Sequence, residues 1–120
     1  MFKTFKSHPL YYRREQSQKM KIKFPDRVPV ILERYHNNSN TNQNTPLIDK
    51  NKYLVPKDST VGNFMYILRQ RLKLNEKQAM FLFFDRTLAP TSEIMSVAYE
   101  QHKDDDGFLY ITYTTENTFG

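Results

Sequence analysis

The chain contains no cysteine. That excludes disulfides, thiolate metal sites and thiol nucleophiles. Only 3 glycines occur among 120 residues, too few for a glycine-rich phosphate loop. No apolar run approaches the ~18–20 residues that span a bilayer. The start, Met1-Phe2-Lys3-Thr4-Phe5-Lys6, has no apolar core of a signal peptide. These absences lead us to expect a cytoplasmic chain whose membrane contact, if any, is peripheral or acquired. His8, His36 and His102 are scattered without metal-ligand spacing. Asp104-Asp105-Asp106-Gly107 lacks the glutamate a calcium loop needs at its twelfth place, where Thr115 stands. We read that segment as a solvated acidic turn. No catalytic constellation is found, so no enzyme, metal or cofactor is expected.

What is present is unevenly placed. Up to Arg27 the chain holds eight Lys and Arg against Glu15 and Asp26, a net of +6; the remainder nets −1. Such a patch favours acidic peptides, phospholipid head groups, tubulin-like tails or nucleic acid, or is simply a solvated face. Tyr11, Tyr12 and Phe24 beside basic residues could stack on bases. The strand aromatics, however, alternate as core residues do, and no RNA-binding signature occurs, so no specific nucleic acid is expected.

Ser7 is read as the cap of a helix running to Phe24, stopped by Pro25. Its sparse apolar residues, Leu10, Tyr11, Met20 and Phe24, predict docking by one thin stripe. Arg27 to Arg34 is β-rich, with Pro29 turning its missing donor to an edge or bulge. The polar tract from Asn37 to Pro46 reads as a loop. Lys50 to Val55 is a second strand. Thr60 caps an amphipathic helix with Val61, Phe64, Met65, Leu68 and Leu72 at spacings of three and four. Met80 to Phe84 is a continuous apolar run, expected to be a strand buried on both faces. A short helix from Thr91 to Tyr99 and a last strand from Phe108 to Thr114 follow. The order predicts an α+β chain: a ubiquitin-like β-grasp of residues 26–114, an N-terminal helical extension of residues 1–25 and a flexible tail of residues 115–120. A hairpin opens the grasp, a helix crosses it, and the last strand returns beside the first.

The tail ends in Phe119-Gly120. A glycine carboxylate carries no side chain, so it can pass a narrow channel and be activated for acyl transfer. Several runs then resemble one family. They are Phe24-Pro25-Asp26-Arg27-Val28-Pro29-Val30-Ile31, Asp49-Lys50-Asn51-Lys52-Tyr53-Leu54-Val55-Pro56, Thr60-Val61-Gly62-Asn63-Phe64, Asp106-Gly107-Phe108-Leu109-Tyr110-Ile111 and Asn117-Thr118-Phe119-Gly120. They resemble the autophagy-related protein 8 family over nearly the whole chain, in order.

The resemblance implies a modifier whose Gly120, presented by Phe119, is joined to phosphatidylethanolamine in autophagosome formation. Activating and conjugating enzymes with catalytic cysteines would do the chemistry, and a processing or delipidating cysteine protease would act on the same tail. The chain would be cytoplasmic, and on the autophagosome membrane when lipidated, with its basic N-terminal segment against anionic head groups. It also implies a face for autophagy receptors carrying an aromatic-x-x-aliphatic motif. The aromatic pocket falls on Gln16, Met20, Pro29, Lys52, Leu54 and Phe108. The aliphatic pocket falls on Tyr53, Val55, Pro56, Phe64, Ile67 and Arg71. Arg27, Lys50 and Lys52 would meet acidic residues beside the motif. Three departures bear on motif preference: Gln16 replaces a glutamate, Ser59 replaces an apolar residue, and the asparagine-rich loop is long. The alternative from the same residues is an unconjugated peptide-binding adaptor in vesicle trafficking or microtubule association.

Overall fold

The computed structural model describes residues 4–35 and 45–117. A 3-10 turn at Phe5–Ser7 precedes α1 (Leu10–Lys23). Then come β1 (Arg27–Arg34), β2 (Lys52–Pro56), α2 (Val61–Arg71), β3 (Gln78–Phe84), β4 (Thr87–Leu88), α3 (Met95–His102) and β5 (Leu109–Asn117). One five-stranded sheet has the order β2-β1-β5-β3-β4. β1 pairs antiparallel with β2 and parallel with β5. This is the expected β-grasp: the hairpin opens it, α2 covers it, and the last strand returns beside the first.

β2 and β3 are buried at alternate residues, and β1 is buried on both faces from Val28 to Leu32. Val28, Val30 and Leu32 of β1 join Tyr53 and Val55 of β2, and Leu109, Ile111 and Tyr113 of β5, on one face. Val61, Phe64 and Leu68 of α2 seal that face, each at 2% exposure or less. Thr60 starts α2 with a reciprocal cap: Asn63 N–H donates to its hydroxyl at 3.1 Å, and its own N–H donates to the Asn63 side chain at 2.9 Å.

Several expectations need correction. Ser7 does not cap α1. Pro9 stands at that position, and the Ser7 hydroxyl donates to the Thr4 carbonyl at 2.7 Å. Proline's fixed φ suits a helix start without any side-chain cap. Pro29 lies in β1, an interior strand. Leu32 N–H donates to Asn51 O at 2.7 Å, so alternation turns Pro29 toward β5, one residue before that ladder begins at Val30. β3 is not buried on both faces: Met80, Leu82 and Phe84 are buried, while Phe81 and Phe83 are half-exposed. The third helix begins at Met95 rather than Thr91, and β5 runs to Asn117 rather than Thr114.

The extension docks differently from the expected stripe. Tyr11 is 77% exposed. The contact is made by Phe5, Tyr12 and Met20 against Ile31, Phe108 and Tyr110 on the other face of the sheet. The acidic turn is not solvated either. Asp106 is buried and receives Arg13 Nη1 at 2.7 Å, Phe108 N–H at 2.8 Å and the Tyr110 hydroxyl. Lys6 reaches Asp104 at 2.8 Å. Ser17 is buried and donates to the Asp106 carbonyl. Gly107, at φ +91°, leaves room for it, since a Cβ there would run into the Ser17 hydroxyl. The turn is therefore the anchor of α1. Burial alone would raise the Asp104 carboxyl, but Lys6, the Asp106 amide and Arg13 outweigh it and hold it below the usual carboxylate range.

Candidate functional site

β2 is an edge strand. The Leu32–Asn51 bond fixes which of its backbone groups are used. Val30 with Tyr53, and Val28 with Val55, are the bonded pairs, so the amides and carbonyls of Lys52 and Leu54 point away from β1. One of these outward groups has a partner: Arg27 Nη1 donates to the Leu54 carbonyl at 3.2 Å. The edge can therefore accept a strand of similar chemistry.

Six expected site residues meet at this edge. Met20, Arg27, Lys50, Lys52, Tyr53 and Leu54 line a groove of about 330 Å³, together with Phe24. α1 supplies one wall and β2 the other. Gln16 is half-buried on α1, one turn before Met20. Two expected members stand apart. Phe108 is fully buried, and Phe5 lies edge-on to its ring at 5.1 Å. Pro29 is buried and lines a second cavity of about 380 Å³ with Lys21, Val28, Lys57 and Tyr99; Arg27 lines both. Phe5 is the residue that sequence reasoning missed. Its signal was an aromatic set between the polar residues Lys3-Thr4 and Lys6-Ser7-His8. The Lys52 ammonium sits 5.2 Å from its ring centroid, a cation–π distance.

The other side of β2 is mostly core. Tyr53, Val55 and Phe64 are buried, with Tyr53 and Phe64 rings edge-to-face at 5.3 Å. Pro56, Ile67 and Arg71 are exposed. Arg71 Nε pairs with Asp49 at 2.7 Å. The bond from Arg71 holds the Asp49 carboxyl below its ordinary range, and the pairing raises Arg71. Burial pushes the Tyr53 hydroxyl up to about 12. That hydroxyl has no hydrogen-bond partner among the described residues. The Ser59 hydroxyl donates to the Pro56 carbonyl at 2.6 Å, so its polarity is spent on the turn after β2.

No group of three metal-ligating side chains gathers among the described residues. Gly120 and Phe119 lie outside those residues, as does the asparagine-rich stretch from Asn37 to Asn44.

A β-grasp sheet with a docked N-terminal helix and an open β2 edge can be set beside known proteins. The family model described as autophagy protein Atg8, ubiquitin-like, matches residues 12–120. Autophagy-related protein 8a of Arabidopsis thaliana is 51% identical over 114 residues, covering 95% of this chain and 89% of that protein. Autophagy-related protein 8 of Coccidioides immitis is 50% identical, covering 94% and 92%. The crystal structure of Trypanosoma brucei ATG8 superposes with a TM-score of 0.84 at 38% identity, covering 97% of this chain and 96% of that one. The chain belongs to the Atg8 family of ubiquitin-like autophagy proteins.

Proposed function

We propose that this chain is a modifier joined through Gly120 to the amine of phosphatidylethanolamine, and that its β2 edge gathers receptors carrying short motifs. Gly120 is the substrate and the chain is not the catalyst. Separate enzymes activate the carboxylate as an acyl adenylate and carry it on cysteine thioesters. The lipid amine then attacks the thioester carbonyl, an amide forms, and the thiolate leaves. The family match running through residue 120 carries this reading, because the tail lies inside the matched region. No described helix is long and apolar enough to cross a membrane. Two acyl chains, at ~0.8 kcal/mol per buried methylene, would supply a lasting anchor.

β1 and β5 run parallel, so Arg27 and the tail root at Asn117 lie at opposite ends of the sheet. With the tail fixed to a bilayer, the Arg27 end faces away from it. This favours acidic residues of protein partners, rather than the head groups of that bilayer, as what Arg27 and its neighbour Lys21 meet. A motif peptide pairs with the outward groups of Lys52 and Leu54 and sets its aromatic side chain in the groove beside Met20. Arg27 then exchanges the Leu54 carbonyl for an acidic flank. The aliphatic anchor lies over Ile67 and Pro56, floored by Val55 and Phe64. Two such anchors at about 1.5–3 kcal/mol each, less the ordering of the peptide, give affinity on the order of micromolar.

The test is reconstitution with matched activating and conjugating enzymes, a processing protease and phosphatidylethanolamine vesicles. Wild type is expected to become vesicle-bound and Gly120→Ala to stay free. Equal behaviour of the two leaves the adaptor reading, in which only the β2 edge acts.

A further inference from the structure

Among the described residues, the last backbone bond from the end of β1 to β5 is Tyr35 N–H donating to the Tyr113 carbonyl at 2.8 Å. Alternation places the amide and carbonyl of Thr115 on that same side of β5, beyond this bond. They are not left bare. The Thr45 hydroxyl accepts from Thr115 N–H at 3.2 Å and lies 3.3 Å from the Thr115 carbonyl, to which it can donate. The Thr114 and Thr115 hydroxyls lie 3.2 and 3.4 Å from it. Thr45 is 2% exposed and Thr115 9%, so water does not replace this partner. The segment that carries Thr45 is itself tied down. Arg34 Nη1 donates to the Thr45 carbonyl at 2.9 Å. The Tyr113 hydroxyl donates to the Pro46 carbonyl at 2.8 Å and accepts from Ile48 N–H at 2.8 Å.

One side-chain hydroxyl thus does for Thr115 what a neighbouring strand does for the residues before it. On the other side β3 pairs with β5 as far as Gln78 opposite Asn117. Among the described residues, Thr45 holds the end of β5 on the side opposite β3. We propose that Thr45 is a positioning residue for acyl transfer from Gly120, holding the end of β5 from which residues 118–120 continue. The inference rests on the glycine-transfer reading above. With the root at Asn117, three residues separate it from the reacting carboxylate, a reach of about 10 Å when extended. Without the hydroxyl, β5 beyond Tyr113 keeps β3 but loses its partner on the other side among the described residues, and the effective tail lengthens. A longer tail has more freedom to lose on entering an enzyme's channel. The penalty falls on productive binding and not on the chemistry at the carboxylate.

The test compares wild type, Thr45→Val and Thr45→Ser in the full chain. Thr45→Val keeps the shape and removes the hydroxyl; Thr45→Ser keeps the hydroxyl. Two readouts are needed: amide exchange along β5, and KM and kcat for transfer to the activating enzyme's cysteine. Thr45→Val is expected to speed exchange at Thr115 by roughly tenfold while Leu109 and Ile111 stay protected, with the change confined to the end held by one partner. KM rises roughly three- to tenfold with kcat unchanged, as expected when only the ordering of the bound tail is affected. Thr45→Ser restores both. Unchanged exchange at Thr115, or faster exchange with unmoved KM, overturns the proposal. Should Thr45→Val fail to fold, Arg34→Met loosens the same segment from its other side and must raise KM likewise. Absence of transfer from wild type overturns the transfer reading as well; normal transfer with unmoved KM overturns only the role of Thr45.

Discussion

Removing the charge of Asp106 should free the N-terminal extension, and a double-mutant cycle with Arg13 measures by how much. Asp106 has a fully buried side chain, and Arg13 is 13% exposed where it meets it at 2.7 Å. Exposed pairs contribute about 0–1 kcal/mol, and breaking a buried pair costs about 3–5 kcal/mol. This pair lies between, with the carboxylate dry and the guanidinium touching water, so a coupling of about 2–3 kcal/mol is expected. The two single variants should differ. Arg13→Met keeps an apolar stem against the sheet and strands one carboxylate. Asp106→Asn disturbs three donors together: Arg13, the Tyr110 hydroxyl and Phe108 N–H. It should be the more destabilising. Its total cost is capped, because α1 can undock and return Arg13 to water. Urea unfolding of wild type, both single variants and the double variant gives the coupling directly. Amide exchange over α1 reports undocking. A coupling below about 0.5 kcal/mol, the range of a solvated surface pair, with α1 still protected in Asp106→Asn, would refute the reading of the acidic turn as an anchor.

Asp104 is held below the ordinary carboxylate range, so the unfolded chain binds its proton more readily than the folded one. Its contribution is therefore present above the unfolded value near ~3.9 and lost as pH falls through the folded value; Asp104→Asn should flatten the acid limb of a stability–pH curve. Tyr53 carries a buried hydroxyl with no partner among the described residues, and Tyr53→Phe is expected to raise stability by about 1 kcal/mol, while a loss of that size in thermal unfolding would mean a hidden bond. The raised Tyr53 value means stability is retained at neutral pH and lost as pH climbs from ~10 to about 12; Tyr53→Phe should remove that part of the alkaline limb. Leu54→Ala should weaken a motif peptide by about 1–2 kcal/mol in calorimetry through lost apolar contact, and Lys52→Glu should weaken it most when the peptide has an acidic flank, with thermal stability nearly unchanged in the Lys52 variant.

The sheet was legible because its residues carry local signals. Arg27 to Arg34 is β-rich, Thr60 precedes an apolar face at helical spacing, and Asp106-Gly107 marks the last turn. The two-faced burial expected of β3 failed because Phe81 and Phe83 look as apolar as their neighbours; which face is covered depends on helix placement, and that is not local. The N-terminal contact failed for a related reason. Leu10 and Tyr11 are the obvious apolar candidates, yet docking is built from Phe5, Tyr12, Ser17 and Arg13 with a carboxylate more than ninety residues away. No window along the chain contains both halves of that pair. At the site, the basic rim of Lys50, Lys52 and Arg27 followed from the family resemblance, whereas the outward backbone groups of β2 were fixed only by the Leu32–Asn51 bond. Phe5 covering Phe108, and the separation of Pro29 from the groove, required coordinates. Thr45 was hidden inside a tract read as loop, since a lone threonine there carries no signal until its neighbour Thr115 is known.

The account stands most directly on the chemical state of the last residue after reaction. Full-length chain, its activating and conjugating enzymes, ATP and phosphatidylethanolamine vesicles would be combined, and the C-terminal peptide analysed by tandem mass spectrometry. The expected spectrum shows the lipid's mass attached at the Gly120 carboxyl and nowhere else, and none on Gly120→Ala. An unmodified C-terminal peptide in an assay where a known relative is fully converted, or lipid mass on any other residue, would contradict it.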